Sequence, residues 1–161
     1  MSEIYRVGIG DLGIAENNSV ITTSSLGSCI AVIIYDPVKK LGGLAHIMHA
    51  DSSMVHSVSN PAKCADTGIR ELLNRMKEKG GIKSRYRSYI IGGASMFTSL
   101  DSKLISNIGL RNVDAAKMIL EGENITIAGE STGGTHGRTV EFNTSTGELI
   151  IRSKRFGMEK L

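Results

Sequence analysis

The chain has 161 residues, a formal net charge of +3 and only 4% aromatic residues, with no tryptophan. This length suits one ordinary domain, here residues 1–161, and is enough for a core without disulfides or metals. The weak charge and the shortage of aromatic side chains argue against a nucleic-acid-binding surface. Two cysteines make no disulfide framework, and no signal peptide or membrane-length apolar run is present, so we expect a cytoplasmic protein that is not inserted in a membrane.

Strand-like segments fill the first third of the chain. They cover residues 4–10, 19–23, 29–36 and 41–50. The last two are joined by a short connection that contains Asp36 and Pro37, which is typical of a hairpin. Antiparallel pairing about a centre near residues 38–39 would place Cys29 opposite residues 47–49.

Two later segments have helical periodicity. The first follows Asn60 and Pro61, which are typical of a helix start, carries a stripe of apolar residues and stops at Gly80. The second is predicted to begin at an Asn112 N-cap and to end near Gly122.

Strand patterns return in the second half of the chain. They cover residues 86–93, 124–131 and a hairpin over 138–153, and the basic run Arg152–Arg155 is expected to be a solvated tail. Two or three helices beside eight or nine strands with short connections predict an α+β fold with mostly antiparallel strands.

Cys29 stands out because it lies at the start of the most apolar strand, behind a run of small residues, "TTSSLGSC". A lone cysteine in a strand is most often an inert core residue. Here Gly27 and Ser28 leave room for a substrate and let backbone N–H groups converge, as an oxyanion hole requires. We therefore take Cys29 as a candidate nucleophile and Gly27 and Ser28 as candidate oxyanion or substrate-adjacent residues.

A cysteine nucleophile needs a base, because a free thiol is mostly protonated at neutral pH. His46 and His49 both fall near Cys29 in the predicted hairpin, but they are three residues apart and point to opposite faces of a regular strand. Only one of them can share the face of the sulfur, and its imidazole is expected to raise the thiolate fraction of Cys29. His56 and His136 lie in polar or glycine-rich segments typical of the surface.

The residue that would orient the imidazole is left open by spacing alone. Asp36 and Asp51 lie in turns near the candidate site, and Thr22 and Thr23 lie close before Cys29.

A zinc site is the competing interpretation. His46, His49, His56 and Cys64 are suitable ligand types, but their spacing matches no familiar zinc pattern, so we expect no metal. Cys64 lies at the edge of a buried helical stripe and is predicted to be a packing residue.

A series of motifs then resembles one known family. "TTSSLGSCIAV", "GGLAHIM", "KCADTGI", "GGASMF", "NIGLRNV" and "STGGTHGRTVEFNTSTGEL" occur in one order over about residues 5–152. Together they resemble the chemoreceptor glutamine deamidases of the CheD family. The resemblance implies a catalytic set of Cys29, His46 and Thr23, and a layered α/β/β sandwich similar to the catalytic domain of cytotoxic necrotizing factor toxins.

The resemblance also implies a function. It predicts hydrolytic deamidation of glutamine side chains on methyl-accepting chemotaxis receptors, through a thioester and without a cofactor. The alternative implied role is that of a regulatory module that stimulates the CheC chemotaxis phosphatase. Phe97, in "GGASMFTSLDS", is either a core residue or an anchor for the receptor helix or for CheC.

Overall fold

The computed structural model describes residues 3–55, 60–96 and 107–161. Within these ranges the chain forms ten strands and two α-helices. In chain order they are β1 (Glu3–Arg6), β2 (Leu12–Glu16), β3 (Ser19–Leu26), β4 (Ile30–Asp36), β5 (Leu41–Ile47), α1 (Ala65–Glu78), β6 (Arg87–Gly92), α2 (Asn107–Gly122), β7 (Thr126–Thr132), β8 (Arg138–Asn143), β9 (Leu149–Ser153) and β10 (Gly157–Lys160).

The strands form two five-stranded sheets. Sheet A has the order β1-β3-β8-β9-β10, and sheet B has the order β2-β5-β4-β6-β7. The β1–β3 and β6–β7 pairs are parallel and the other pairings are antiparallel. The parallel β6–β7 pair has α2 between its strands, because parallel neighbours need a crossover connection. The predicted α+β class with mostly antiparallel strands is confirmed.

The central strand β4 separates two apolar layers. Its even-numbered residues pack with both helices, and its odd-numbered residues pack between the sheets against Ile21 and Phe142. This division follows from the alternation of side chains along a strand. Burying each branched side chain contributes about 1.5–3 kcal/mol, so both layers are substantial. The helices, sheet B and sheet A thus form the three layers of the predicted α/β/β sandwich, which is confirmed.

Both helices begin at positions other than those predicted. The Asn60 side chain accepts from the Ala62 N–H and caps a 3-10 turn, whereas α1 starts at Ala65. The prediction that Asn112 caps α2 is wrong, because this helix starts five residues earlier and buries Asn112 within it. Gly109 weakens the helical pattern of that first turn, and tertiary packing overrides its low propensity.

The β4–β5 hairpin is held at its turn by a buried carboxylate. The N–H groups of Val38 and Lys39 donate to one oxygen of Asp36, and the Ile82 N–H and the Arg85 guanidinium donate to the other. Burial alone would raise the pKa of Asp36, but Arg85 and these N–H groups outweigh it and hold the pKa below its usual value. The turn therefore fixes the pairing register of the hairpin.

The basic run near the C-terminus is part of the fold. Ser153 ends β9, and β10 pairs back on β9, so the prediction of a solvated tail is wrong. Arg152, Lys154 and Arg155 are nevertheless exposed and line a surface cavity of about 510 Å³. Across the described parts of the chain, every helix is too short or too polar to span a bilayer.

Candidate active site

Cys29 ends a short loop that connects the two sheets. The β3 strand is irregular just before this loop, since its pairing with β8 shifts between Thr23 and Leu26, and Ser25 has a left-handed φ of 60°. Such irregularities are common next to active sites, where they redirect the chain. Cys29 follows the loop, is partly buried and packs against the layer between the sheets.

The end of β6 clamps the Cys29 loop. The Gly93 N–H donates to the Cys29 carbonyl at 3.0 Å, and the Ala94 N–H donates to the Gly27 carbonyl at 2.8 Å. Gly92 has a φ of 113°, and a Cβ at this position would lie 2.4 Å from the Cys29 oxygen. The backbone of Cys29 is thus fixed by a neighbouring strand that only a glycine allows to come so close.

His46 is fully buried on β5 and faces the same layer as Cys29. It pairs directly with Ala31 of β4, whose side chain lies between the sheets. Cys29 precedes Ala31 by two residues, so it shares this face and is the diagonal neighbour of His46. Because Ile30 pairs with Ile47, the predicted pairing centre near residues 38–39 is confirmed.

Thr23 lies between His46 and a backbone carbonyl. Its Oγ1 is 2.8 Å from His46 Nδ1 and 2.7 Å from the Val7 carbonyl oxygen. A carbonyl can only accept, so the single hydroxyl proton of Thr23 goes to Val7 and the Nδ1–H of His46 donates to Thr23. This assignment makes Nε2 the unprotonated ring nitrogen. Nε2 is buried and has no hydrogen-bond partner among the described residues.

The electrostatics favour a neutral cysteine and a neutral histidine at rest. Burial lowers the pKa of His46. Burial also raises the pKa of Cys29, and a hydrogen bond from its own backbone N–H opposes this only in part. The expected increase in the thiolate fraction is therefore not found, because an uncharged imidazole does not stabilise a thiolate before it takes the proton.

His49 lies two residues beyond the end of β5, and its backbone pairs with a different segment. Its backbone forms an isolated bridge with Cys64, and its N–H donates to the Lys63 carbonyl. Cys64 is fully buried at the N-terminus of α1. The strand register thus places His46 on the face of Cys29, whereas His49 lies outside the paired part of β5.

The other candidates for orienting the imidazole have different partners. Thr22 donates to the Val140 carbonyl, Asp36 lies at the far end of β4, and Asp51 accepts from the Ser53 N–H. In the described segments, no group of three His, Cys, Asp or Glu side chains could hold a metal ion, and His56 lies outside them.

Two N–H groups at the end of the Cys29 loop have no backbone acceptor in the described part of the chain. The Gly27 N–H donates to the Ser25 carbonyl at 3.2 Å, whereas those of Ser28 and Cys29 make no backbone hydrogen bond within the described ranges. Met96 is 48% exposed and lies over Gly27, since its Cγ would be 3.2 Å from a Cβ there. Phe97 lies outside the described residues.

Sequence reasoning missed one polar contact of this loop. The side chain of Asn112 donates from Nδ2 to the carbonyl oxygens of Ser28 and Met48, at 2.9 and 3.2 Å. The only sequence signal for this contact is a polar residue in the apolar pattern beside Val113 and Ala116, and that signal also fits a helix cap.

The fold and these contacts define a layered α/β/β sandwich in which a threonine is hydrogen-bonded to a histidine between the sheets, and a cysteine lies on the same face of the neighbouring strand. Residues 48–153 match a family described as CheD chemotactic sensory transduction. A relative from Desulforamulus reducens is 46% identical over 92% of this chain and 89% of its own, and one from Clostridium novyi is 44% identical over 97% and 96%. Both are named probable chemoreceptor glutamine deamidase CheD. The chain belongs to the CheD family.

Two solved structures overlap with the fold at low identity. They are a Neisseria meningitidis protein of the DUF152 family, with a TM-score of 0.47 and 11% identity, and the Bacillus licheniformis hypothetical protein YfiH, with 0.49 and 16%. Each match covers 83% of this chain, and the chain spans 63% and 60% of the two proteins.

Proposed function

We propose that this protein hydrolyses glutamine side chains of chemoreceptors to glutamate and ammonia. The observation that carries the proposal is the buried Thr23–His46 hydrogen bond, which leaves Nε2 of His46 unprotonated on the face of Cys29. An anchored imidazole beside a thiol is the arrangement that nucleophilic amide hydrolysis requires. The names of the relatives supply the substrate.

The first half of the reaction forms a thioester. Nε2 of His46 takes the proton of the Cys29 thiol as the sulfur attacks the carboxamide carbon of the substrate. The C=O π electrons move to the oxygen and produce a tetrahedral oxyanion. When the oxyanion collapses, the C–N bond breaks, and the proton on Nε2 passes to the nitrogen, which leaves as ammonia.

The second half restores the enzyme. A water molecule attacks the thioester carbon while Nε2 of His46 takes one of its protons. The C–S bond then breaks, the sulfur regains a proton from the imidazole, and the product is the glutamate carboxyl group. Thr23 keeps the ring in one orientation and accepts from Nδ1–H in both halves, and no cofactor takes part.

The oxyanion would be held by backbone N–H groups next to the nucleophile. Those of Ser28 and Cys29 make no backbone hydrogen bond within the described ranges, so both can donate to a substrate oxygen, that of Cys29 by leaving the contact with its own sulfur. Gly27 has a different role, because its N–H is bonded in the turn and its missing side chain makes room for Met96. Donors aimed at a developing charge are commonly the largest single catalytic term.

We further propose that the receptor or CheC docks beside the Cys29 loop. Met96 supplies an exposed apolar side chain over Gly27, and Phe97 follows it in sequence as the candidate anchor. The partner is the cytoplasmic helical region of a receptor or, in the regulatory role, the CheC phosphatase. Phe97→Ala should weaken binding of a receptor fragment or CheC in a calorimetric titration with little change in Tm. A large drop in Tm with unchanged binding would make Phe97 a core residue.

The test of the activity is co-expression with a receptor cytoplasmic fragment, followed by mass spectrometry of its peptides. We expect Gln-to-Glu conversion with the wild-type protein and with Cys64→Ala, and none with Cys29→Ala. Conversion that persists with folded Cys29→Ala would contradict the proposal. Stimulation of CheC phosphatase activity by the same Cys29→Ala protein would show that the regulatory role is independent of catalysis.

A further inference from the structure

Asn112 connects helix α2 to both sides of the candidate site. Its side chain is 1% exposed, and Nδ2 donates to the carbonyls of Ser28, directly before Cys29, and of Met48, two residues after His46. The amide orientation is unambiguous, because a carbonyl only accepts. Its Oδ1 is buried without a partner in the described part of the chain. A buried amide with one unsatisfied oxygen is costly, which points to a role beyond packing.

We propose that Asn112 is a positioning residue that aims the Cys29 N–H at the developing oxyanion. The Ser28–Cys29 peptide is trans, so its carbonyl and the Cys29 N–H point in opposite directions. Asn112 draws the carbonyl toward α2, and this turns the N–H toward the opposite side. The Cys29 N–H makes no hydrogen bond to another backbone group within the described ranges, so it can donate to a substrate oxygen.

Helix α2 is also held close to the Cys29 loop by its contact with the segment that follows β6. A Cβ on Gly109 would lie 2.4 Å from the Gly93 oxygen, so helix and β6 loop are in backbone-to-backbone contact. Gly93 in turn donates to the Cys29 carbonyl. Asn112 therefore holds the Ser28 carbonyl, and Gly93 holds the Cys29 carbonyl. Because both peptide groups next to the Cys29 N–H are fixed, the direction of this N–H is fixed as well.

The inference rests on the proposed deamidation, and the experiment separates the two. Asn112→Asp keeps the shape of the side chain but removes both N–H donors, and Asn112→Ala is the second variant. We expect kcat on a receptor fragment to fall by about 10- to 100-fold with KM nearly unchanged, because an oriented oxyanion donor acts in the transition state. Alkylation of Cys29 by iodoacetamide needs no oxyanion hole, so its rate should change by less than about threefold.

The matched control is Leu120→Ala, which removes a buried side chain from the same helix away from the loop. It should lower Tm at least as much as the Asn112 variants and leave kcat at the wild-type value. The inference is overturned if both folded Asn112 variants keep their kcat, if kcat and alkylation fall together, or if Leu120→Ala loses kcat equally. Absence of deamidation in the wild-type protein would instead refute the proposed function.

Discussion

The described residues include two cysteine–histidine neighbourhoods, and only one of them has the geometry that the proposed reaction needs. Cys29 comes directly before β4 with His46 beside it, and Cys64 comes directly before α1 with His49 bridged to it. Burial raises the pKa of both thiols. Proximity of a cysteine and a histidine is therefore not what distinguishes them.

The difference lies in access and anchoring. Cys29 is partly exposed, whereas Cys64 is fully buried. The start of a helix would normally lower the pKa of a cysteine, but burial and the Asp66 and Asp51 carboxylates raise that of Cys64. On the Cys29 side, one ring nitrogen of His46 is hydrogen-bonded to Thr23, and the other has no partner among the residues that the structure describes.

The largest expected effect is on the nucleophile itself. Cys29→Ala should reduce deamidation by about 10⁴-fold or more, because covalent catalysis is lost entirely. Cys64→Ala should retain most of the activity. Rates are measured on a receptor fragment with both variants checked by circular dichroism. If folded Cys29→Ala and Cys64→Ala lost deamidation activity to a similar extent, Cys29 could not be assigned as the nucleophile in preference to Cys64.

The two histidines give the next largest contrast. His46→Ala should reduce kcat by about 10²- to 10⁴-fold, the range for a lost general base. His49→Ala should have a far smaller effect, since it lies past the end of β5. Equal losses, measured by the same assay, would mean that His49 also serves Cys29 and that the assignment by strand face is mistaken.

Two adjacent threonines make it possible to distinguish orientation of the His46 ring from simple packing. Thr23 and Thr22 are both buried, and each hydroxyl bonds a backbone carbonyl, but only Thr23 contacts the imidazole. Each Thr→Val substitution should cost about 1–3 kcal/mol of stability by leaving a carbonyl unsatisfied. Only Thr23→Val should also lower kcat, by about tenfold and less than His46→Ala. A similar loss of kcat in Thr22→Val would reduce Thr23 to a packing residue.

The smallest effect is the pH dependence that His46 gives to stability. Its pKa in the folded protein is below the unfolded value of about 6.5, so the unfolded chain binds more protons between these values. The stability that the protein gains from keeping His46 neutral is fully present above about pH 6.5, and it is lost as the pH falls through the pKa of His46 in the folded protein. Urea unfolding at pH 7.5 and 5.5 should therefore show a smaller loss of stability on acidification for His46→Gln than for wild type. An unchanged difference would mean that His46 is not held neutral.

The sequence predicted those parts of the site that depend on strand alternation. The side-chain alternation of a strand predicts that only one of His46 and His49 shares the face of Cys29. The length of the connection predicts the centre of the hairpin, and the observed register confirms that centre. Periodicity does not predict contacts between distant segments. The Val7 carbonyl that fixes the tautomer is 16 residues from Thr23, and Asn112 is 84 residues from Ser28. A spacing argument cannot assign such partners. The short edge strands β2 and β10 are also not predicted, because β2 is only five residues long and β10 contains a single apolar residue.

The Asp36 turn has a consequence for how this chain can change over evolutionary time. Residues 37–40 are eight or more positions from Cys29, roughly 26 Å along an extended strand. A surface turn at that distance would ordinarily accept insertions and deletions. Here an added or deleted residue that shifts the β4–β5 register by one position would turn the His46 side chain to the helix side of sheet B. We therefore expect a change in the length of this turn to be as harmful to the candidate site as a change of the nucleophile, although the turn lies at the far end of β4 from Cys29.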